Sequence, residues 1–452
     1  MAKNDNLSDF LIDLANTIRE KKGIVGTINP QDFANEIASI ESGSSIVTAS
    51  DVNFYDYDGT ILHSYTKEEF AALTSLPDLP TREGLTCQGW NYTLDEAKSY
   101  VADYGSLNIG AMYITSDGAT KLYISIIDSG RMTVPLYFNQ TISKGILIDW
   151  GDGAKQVIEG TGNVNTAHTY EAPGDYIIQL IPSGQCELGL GSDTSEYCLM
   201  GATTPLDRVY CNMLKKVELG INITDINAYA FSFCCNLKSI NLPNSITYVG
   251  SSAFDTCYSL TSIVIPQGTT TLANNAFYVC RELSLVSLPS SVTFLGTGVF
   301  SNCYALKSIN IPELVRAILP SAFEFCYSLT SLNLPSNLVT IGDNAFSYCQ
   351  SLVTVTINSA QAILSRAFYS CYSLVSVFIK SNVSQIKENV FYTCCRLATI
   401  EFSQNTIVPN LANTNALMYI APDCKIKVPE NLLNTWKSAT NWVTYESQIF
   451  AI

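Results

Sequence analysis

One repeating unit constrains this chain more than anything else in it. Between about Leu214 and Phe402 a pattern close to Ala-Phe-x-x-Cys-x-x-Leu-x-x-Ile-x-Ile-Pro recurs. Its phenylalanines are Phe231, Phe254, Phe277, Phe300, Phe323, Phe346, Phe368 and Phe391, and its cysteines run in parallel from Cys234 to Cys394. Both ladders step by 23 residues, with a single step of 22. A leucine ladder follows from Leu237 to Leu397, then an aliphatic pair such as Ile240/Leu242, Ile263/Ile265 or Ile309/Ile311. Pro243, Pro266, Pro289, Pro312 and Pro335 end the first five pairs, and Cys211, Leu214, Val217 and Leu219 form a degenerate earlier copy.

A fixed period of this size marks a solenoid. Leu-x-x-Ile-x-Ile reads as a short strand with alternate residues inward. Ala-Phe-x-x-Cys suits one helical or 3₁₀ turn. A further aliphatic before each phenylalanine, from Ile226 to Ile386, marks another short extended piece. One coil cannot bury its own apolar face, so coils stack. The unit resembles the BspA-like leucine-rich repeats over about 190 of the 452 residues.

At this length the chain is expected to hold two to four domains. Its net charge of −15 is unevenly placed: Asp207 to Glu401 holds 11 basic and 10 acidic residues, and three of each follow Ser403. The acidity sits in the first 205 residues, which argues against nucleic acid or an anionic membrane as partner. Nine of the 15 cysteines lie on the ladder from Cys211 to Cys394. Nine is odd, and cysteine packs as a small hydrophobe, so a reduced, buried ladder is expected. Zinc-type CxxC spacing is absent and only two histidines exist, so no metal or other cofactor is expected. No run of 18 apolar residues occurs, so membrane insertion is not expected. The N-terminal stretch has no apolar signal core, and secretory export is not expected either.

In chain order, Leu7, Phe10, Leu11, Leu14 and Ile18 form one helical stripe, and Asn29-Pro30 opens a second with Phe33, Ile37 and Ile40. Two short helices over residues 1–43 are too little for an independent core, so this hairpin must dock on something. Leu14–Gly23 and Ile28–Phe33 resemble the N-terminal segment of tail-associated proteins encoded by phages of gut bacteria.

Residues 46–110 read as a small α+β domain: a strand at Val52–Tyr55, a turn at Asp56–Gly59, helices at Lys67–Leu73 and Leu94–Tyr104, and an irregular loop between them. Asp56-Tyr57-Asp58-Gly59-Thr60 matches the first motif of haloacid dehalogenase-like phosphatases. In that family the first aspartate is the nucleophile and the second a general acid/base. The strand before Asp56 alternates and contains Asn53, and no repeated βα units follow. The Asp-Gly pair therefore reads as a tight turn, and the chain as no enzyme.

Residues 111–185 show short strand-like runs punctuated by turns, which suggests a β-sandwich. Ile148–Gly153, His168-Thr169-Tyr170 and Pro173–Tyr176 resemble the polycystic-kidney-disease (PKD) type of immunoglobulin-like domain. The resemblance implies that Trp150 is core, Gly151-Asp152-Gly153 a turn and His168 structural. A connector of Gly, Ser and Asp runs from Ser183 to Pro205. Residues 403–452, with a helix at Glu430–Ser438 and nearby Trp436 and Trp442, look like the closing segment of many BspA-like repeat proteins.

The expected chain is thus multidomain and mainly β: a helical hairpin anchor (1–43), a small α+β domain (46–110), a PKD/Ig-like β-sandwich (111–185), a leucine-rich-repeat solenoid (206–402) and a C-terminal cap (403–452). The function expected is a non-enzymatic phage virion protein of tail or fibre type, presenting the solenoid for host-surface adhesion. The alternative is a bacterial cell-surface adhesin. Its partners would be other virion proteins through residues 1–43 and a host-surface protein or glycan, with homo-oligomerisation left open. The candidate binding surface is the residue after the ladder cysteine, which is tyrosine at Tyr258, Tyr304, Tyr327 and Tyr372. Stacked coils would align these rings, and tyrosine offers an apolar face with a hydroxyl.

Overall fold

The computed structural model describes residues 51–142, 145–182, 187–191, 199–200 and 211–452. The expected hairpin over 1–43 and most of the connector lie outside the described residues. The described chain is mainly β, with a β-solenoid of about ten turns and few helices. None of the described helices is long and apolar enough to cross a membrane.

The first unit is a four-stranded sheet with two helices. Strands β1 (Val52–Tyr55), β2 (Ile61–Tyr65), β3 (Leu85–Trp90) and β4 (Leu107–Thr115) take the order β2-β1-β4-β3. Helices α1 (Lys67–Ala72) and α2 (Leu94–Tyr104) each open on a capping box, Thr66/Glu69 and Thr93/Glu96, which satisfies the free N–H groups of the first turn. Gly105 closes α2 at φ 82, where a side chain would be strained. Strand β3 falls in the stretch expected as a loop. Its bulge between Cys87 and Gly89, together with half-exposed residues, hides the alternation that marks a strand. Ala111–Ile114, expected as the first sandwich strand, is the second half of β4 and belongs to this sheet.

The next strands are β5 (Thr120–Ile126), β6 (Thr133–Ile142), β7 (Ile146–Asp149), β8 (Lys155–Ile158), β9 (Gly162–Thr169), β10 (Gly174–Pro182) and β11 (Glu187–Leu190). One sheet runs β5-β10-β7-β8 and the other β11-β6-β9. Both bury alternate residues in a common core that includes Leu122, Phe138, Ile148, Trp150 and Leu180. The sequence division at 185–206 is not a break in these layers. Strand β5 pairs antiparallel with Leu214–Glu218, and β11 pairs parallel with Ile223–Ile226, the first strands of the solenoid. An uncapped first coil would expose two open sheet edges, and β5 and β11 cover them. The core is therefore continuous from β5 to Ile449.

In the solenoid the phenylalanine rings stack without a break from Phe231 to Phe391, with centroids 5.1–5.7 Å apart and planes within 19°. All described cysteines are free, and the ladder from Cys234 to Cys394 is buried. Each thiol from Cys257 onward also donates to the phenylalanine carbonyl of the preceding coil, at 3.1–3.3 Å. Cysteine is thus a directional tie between coils as well as a filler.

The prolines divide the solenoid in two. Proline has no N–H to extend a ladder, and the strands that precede it are short: Ser239–Ile240, Ser262–Val264 and Leu285–Ser287, then single bridges at Asn310 and Asn333. In the three following repeats, which lack that proline, the strands span four residues: Thr354–Ile357, Ser376–Ile379 and Thr399–Phe402. The proline-ended coils are also those whose outward strand face is covered by the α+β unit. Asn91 donates to Ile265 O and Ser287 Oγ, Asn241 to Tyr113 O, and Asn310 to Ser106 O, while Tyr92 and Tyr100 hydroxyls donate to Leu288 O and Ile311 O. Gly110 lies so close to Val264 that a Cβ would collide with it.

At the far end the coil continues beyond Phe402. Lys425–Val428 pairs parallel with Thr399–Phe402, and Ile449–Ala451 pairs with it in turn. Ala416-Leu417 takes the place of Ala-Phe, and Phe391 N–H still donates to Ala416 O at 2.8 Å. The loss of phenylalanine and the longer step hide this coil from the periodic reading. The expected helix at Glu430–Ser438 divides into a 3₁₀ turn, Glu430–Leu432, and α3 (Leu433–Ser438). Trp436 and Trp442 pack on Phe402 at 4.9 and 5.8 Å and close the apolar end.

Candidate binding surface

The edge of the solenoid that follows each phenylalanine has an unusual backbone. Residues two before and two after the ring are left-handed in nearly every coil, as at Asn275 (φ 57) and Val279 (φ 57), or Ser321 (φ 55) and Phe325 (φ 61). Placing left-handed residues on both sides of the ring turns alternate N–H groups toward the next coil. Asn275, Phe277 and Val279 donate to Thr297, Val299 and Ser301 at 2.8–2.9 Å, and the same triplet recurs along the edge. Side chains beside the buried ring are thereby held at coil spacing and project from this edge.

These side chains form a chain of aromatic contacts. The Arg281 guanidinium lies 4.5 Å from the Tyr258 ring and 5.7 Å from Tyr304. Tyr304 meets Tyr327 at 4.9 Å, Tyr327 meets Phe325 at 6.1 Å, and Phe325 stacks on Tyr348 at 4.8 Å. Tyr348 meets Tyr369 at 5.5 Å, Tyr369 stacks on Tyr392 at 5.3 Å, and Tyr392 meets Tyr419 at 5.2 Å. All are half-buried except Arg281 and Tyr419, which are exposed. Burial, with Tyr304 alongside, pushes the Tyr327 phenol up; burial, with Tyr369 and Tyr372, does the same for Tyr348. The row is thus apolar in its faces, and burial favours the neutral hydroxyl at Tyr327 and Tyr348.

Of the four tyrosines singled out from sequence, the structure places Tyr258, Tyr304 and Tyr327 in this row. Tyr372 is exposed near Tyr348 and carries no ring contact among the described residues. Phe325, Tyr348, Tyr369, Tyr392 and Tyr419 were missed, whereas Arg281 holds the same slot after its ladder cysteine as the four tyrosines. The signal was present one or two places after the last four ladder phenylalanines, where Phe325, Tyr348, Tyr369 and Tyr392 stand.

The aspartates of the phosphatase-like motif are tied down. Arg82 Nε lies 2.6 Å from Asp56 and its Nη2 2.6 Å from Asp58, with Asp56 almost fully buried. Desolvation alone would raise Asp58, but hydrogen bonds from Thr60 and the Arg82 charge hold its carboxyl below the ordinary value. Gly59, at φ 90, completes the turn. His168 stacks on Trp150 at 5.1 Å and lies 2.6 Å from Asp152, a packing position. Asp149 and Asp152 accept from Gly151 and Ala154 N–H at the turn. Among the described residues no cluster of His, Cys, Asp and Glu has a metal-holding arrangement.

Two columns of short parallel strands, a stacked phenylalanine ladder and a leucine in every coil define a leucine-rich-repeat solenoid. More particularly, residues 209–328 and 316–416 match the BspA type leucine rich repeat region, in six copies. Among solved structures the chain is similar to a leucine-rich repeat protein of T. pallidum, with 30% identity over 31% of this chain and 69% of that one and a TM-score of 0.28. It is also similar to a leucine-rich repeat protein from Bacteroides ovatus (18% identity, 69% and 99% covered, TM-score 0.30). A third is a leucine rich cell surface protein from Faecalibacterium prausnitzii (21% identity, 53% and 86% covered, TM-score 0.21). No curated protein matches the sequence. Repeats of this kind are typical of surface-adhesion and protein-binding proteins, and their fold is typically non-enzymatic.

Proposed function

We propose that the chain is a non-enzymatic adhesion protein that uses the aromatic edge of its solenoid to bind a macromolecule on a host surface. The observation that carries this reading is the row from Tyr258 to Tyr419, which projects ring edges and hydroxyls along one side of the repeat region. Stacked pairs such as Phe325–Tyr348 and Tyr369–Tyr392 alternate with edge-on contacts such as Tyr348–Tyr369, so the row offers both ring edges and ring faces to a partner. A row of aromatic side chains with few charges suits a protein surface, where tyrosine is a frequent contact residue. On this reading residues 1–43 dock to other virion proteins of a phage, as the N-terminal resemblance implies, and the two-sheet unit serves as a PKD-like spacer. The acidic net charge of −15 speaks against nucleic acid.

The test replaces Tyr369 and Tyr392 together by alanine in the full chain. Loss of binding to host cells at an unchanged melting temperature supports the reading; unchanged binding overturns it. A second measurement addresses location. Deleting residues 1–43 is expected to abolish incorporation into purified phage particles, whereas a chain found only on bacterial cell envelopes makes it a cell-surface adhesin.

A further inference from the structure

The prolines also decide where a second site can form. In the proline-ended coils the turn after the strand is closed by a bond from the residue three places on: Ile246, Thr269, Val292, Val315 and Leu338 N–H each donate to the proline carbonyl at 3.0–3.3 Å. The coils ending at Ile357, Ile379 and Phe402 continue instead into Asn358-Ser359, Lys380-Ser381-Asn382 and Ser403-Gln404. Without proline these turns open into a cleft of about 440 Å³, lined mainly by polar residues, with Ile407 at its rim. That volume lies within the usual range for small-ligand sites.

Among the described residues, four lining side chains, with Gln361, Lys380 and Gln404 exposed and Asn358 half-buried, make no bond within the protein. Asn358, Gln361, Lys380 and Gln404 make no side-chain hydrogen bond or ion pair among the described residues, although they come from successive coils and converge on one cleft. Their neighbours Ser359 and Ser381 are committed, donating to Leu338 O and Ala360 O and so fixing the floor. The free groups are three amides, each both donor and acceptor, and one ammonium. An array of amides without an aromatic or a deep apolar wall suits a ligand with many hydroxyls. Lys380, the one charged group of the lining, suits a single carboxylate.

We propose that this cleft is a binding site for a carboxylated saccharide, separate from the aromatic edge, with the three amides reading hydroxyls and Lys380 pairing the carboxylate. Calorimetric titration of the full chain with tetragalacturonate and with neutral maltotetraose tests this. Tetragalacturonate is expected to bind at least tenfold more tightly than maltotetraose. Lys380→Gln, at an exposed position, is expected to remove that preference, and Asn358→Ala with Gln361→Ala to remove binding, both without a change in melting temperature. No binding of tetragalacturonate at millimolar concentration overturns the proposal, as does equal affinity for both sugars or binding unchanged by the substitutions. The Tyr369→Ala, Tyr392→Ala variant is the control: it is expected to keep saccharide binding, so a failure of the adhesion reading leaves this result standing. Loss of saccharide binding in that variant would place the sugar on the aromatic edge and overturn the cleft assignment.

Discussion

Replacing Cys303 asks whether the buried thiol ladder is filler or tie. Cys303 is fully buried, and its Sγ lies 3.2 Å from the carbonyl oxygen of Phe277 in the preceding coil. Cys303→Ala deletes one buried heavy atom, worth about 0.8 kcal/mol as a methylene equivalent. It also deletes a weak hydrogen bond worth roughly 0.5–1 kcal/mol, so the expected loss is about 1.3–1.8 kcal/mol. Cys303→Ser separates the contributions. If the thiol only fills space, serine buries a stranded hydroxyl and should cost roughly 1–3 kcal/mol more than alanine. If the thiol donates, the serine hydroxyl takes over the Phe277 carbonyl and serine should be no worse than alanine. Guanidinium unfolding followed by circular dichroism, with hydrogen exchange at the Phe300–Cys303 amides, measures both. A serine variant less stable than alanine by more than about 1 kcal/mol would refute the donor role.

Three further outcomes are expected. Burial holds the thiols of Cys257, Cys280, Cys303, Cys326, Cys349, Cys371 and Cys394 above the ordinary value of 9.0. The unfolded chain therefore ionises first, so stability is full below pH 9 and falls as pH rises, by up to about 1.4 kcal/mol per pH unit per thiol; a flat melting temperature between pH 8.5 and 10.5 would contradict this. Asn91→Ala strands the carbonyl of Ile265 and the N–H of Gly110, bonded at 3.1 and 2.8 Å, and should cost about 2–4 kcal/mol. Limited proteolysis should then cut within residues 52–115 before the solenoid opens, and simultaneous cleavage of both would count against a separable docking contact. Val279 is a β-branched residue at φ 57, so Val279→Asn, which brings the residue already present at the equivalent Asn302, should stabilise by about 0.5–1 kcal/mol; a lowered melting temperature would show that its packing outweighs its strain.

The sequence by itself determined the stacked coils. The 23-residue step of Phe, Cys and Leu makes identical neighbours, and identical neighbours one coil apart have no other way to bury their apolar faces. The helices at Lys67–Ala72 and Leu94–Tyr104 were legible for a similar reason, since their caps are local signals. The strands Leu85–Trp90 and Glu187–Leu190 were not, because their partners, β4 and then β6 with Ile223–Ile226, lie elsewhere in the chain.

Only the tertiary structure decided which faces of the solenoid remain available. Outward residues such as Asn241, Ser287 and Asn310 look like solvent positions in the repeat, yet the α+β unit covers them. The aromatic row was half legible: stacking aligned Tyr304 with Tyr327, but Phe325, Tyr348 and Tyr369 join from different columns. The bend of the backbone through two left-handed residues brings those columns together. Periodicity encodes what a coil shares with its neighbours along the axis. Coverage by a distant segment, and contact between unlike columns, are non-local and leave no period in the chain.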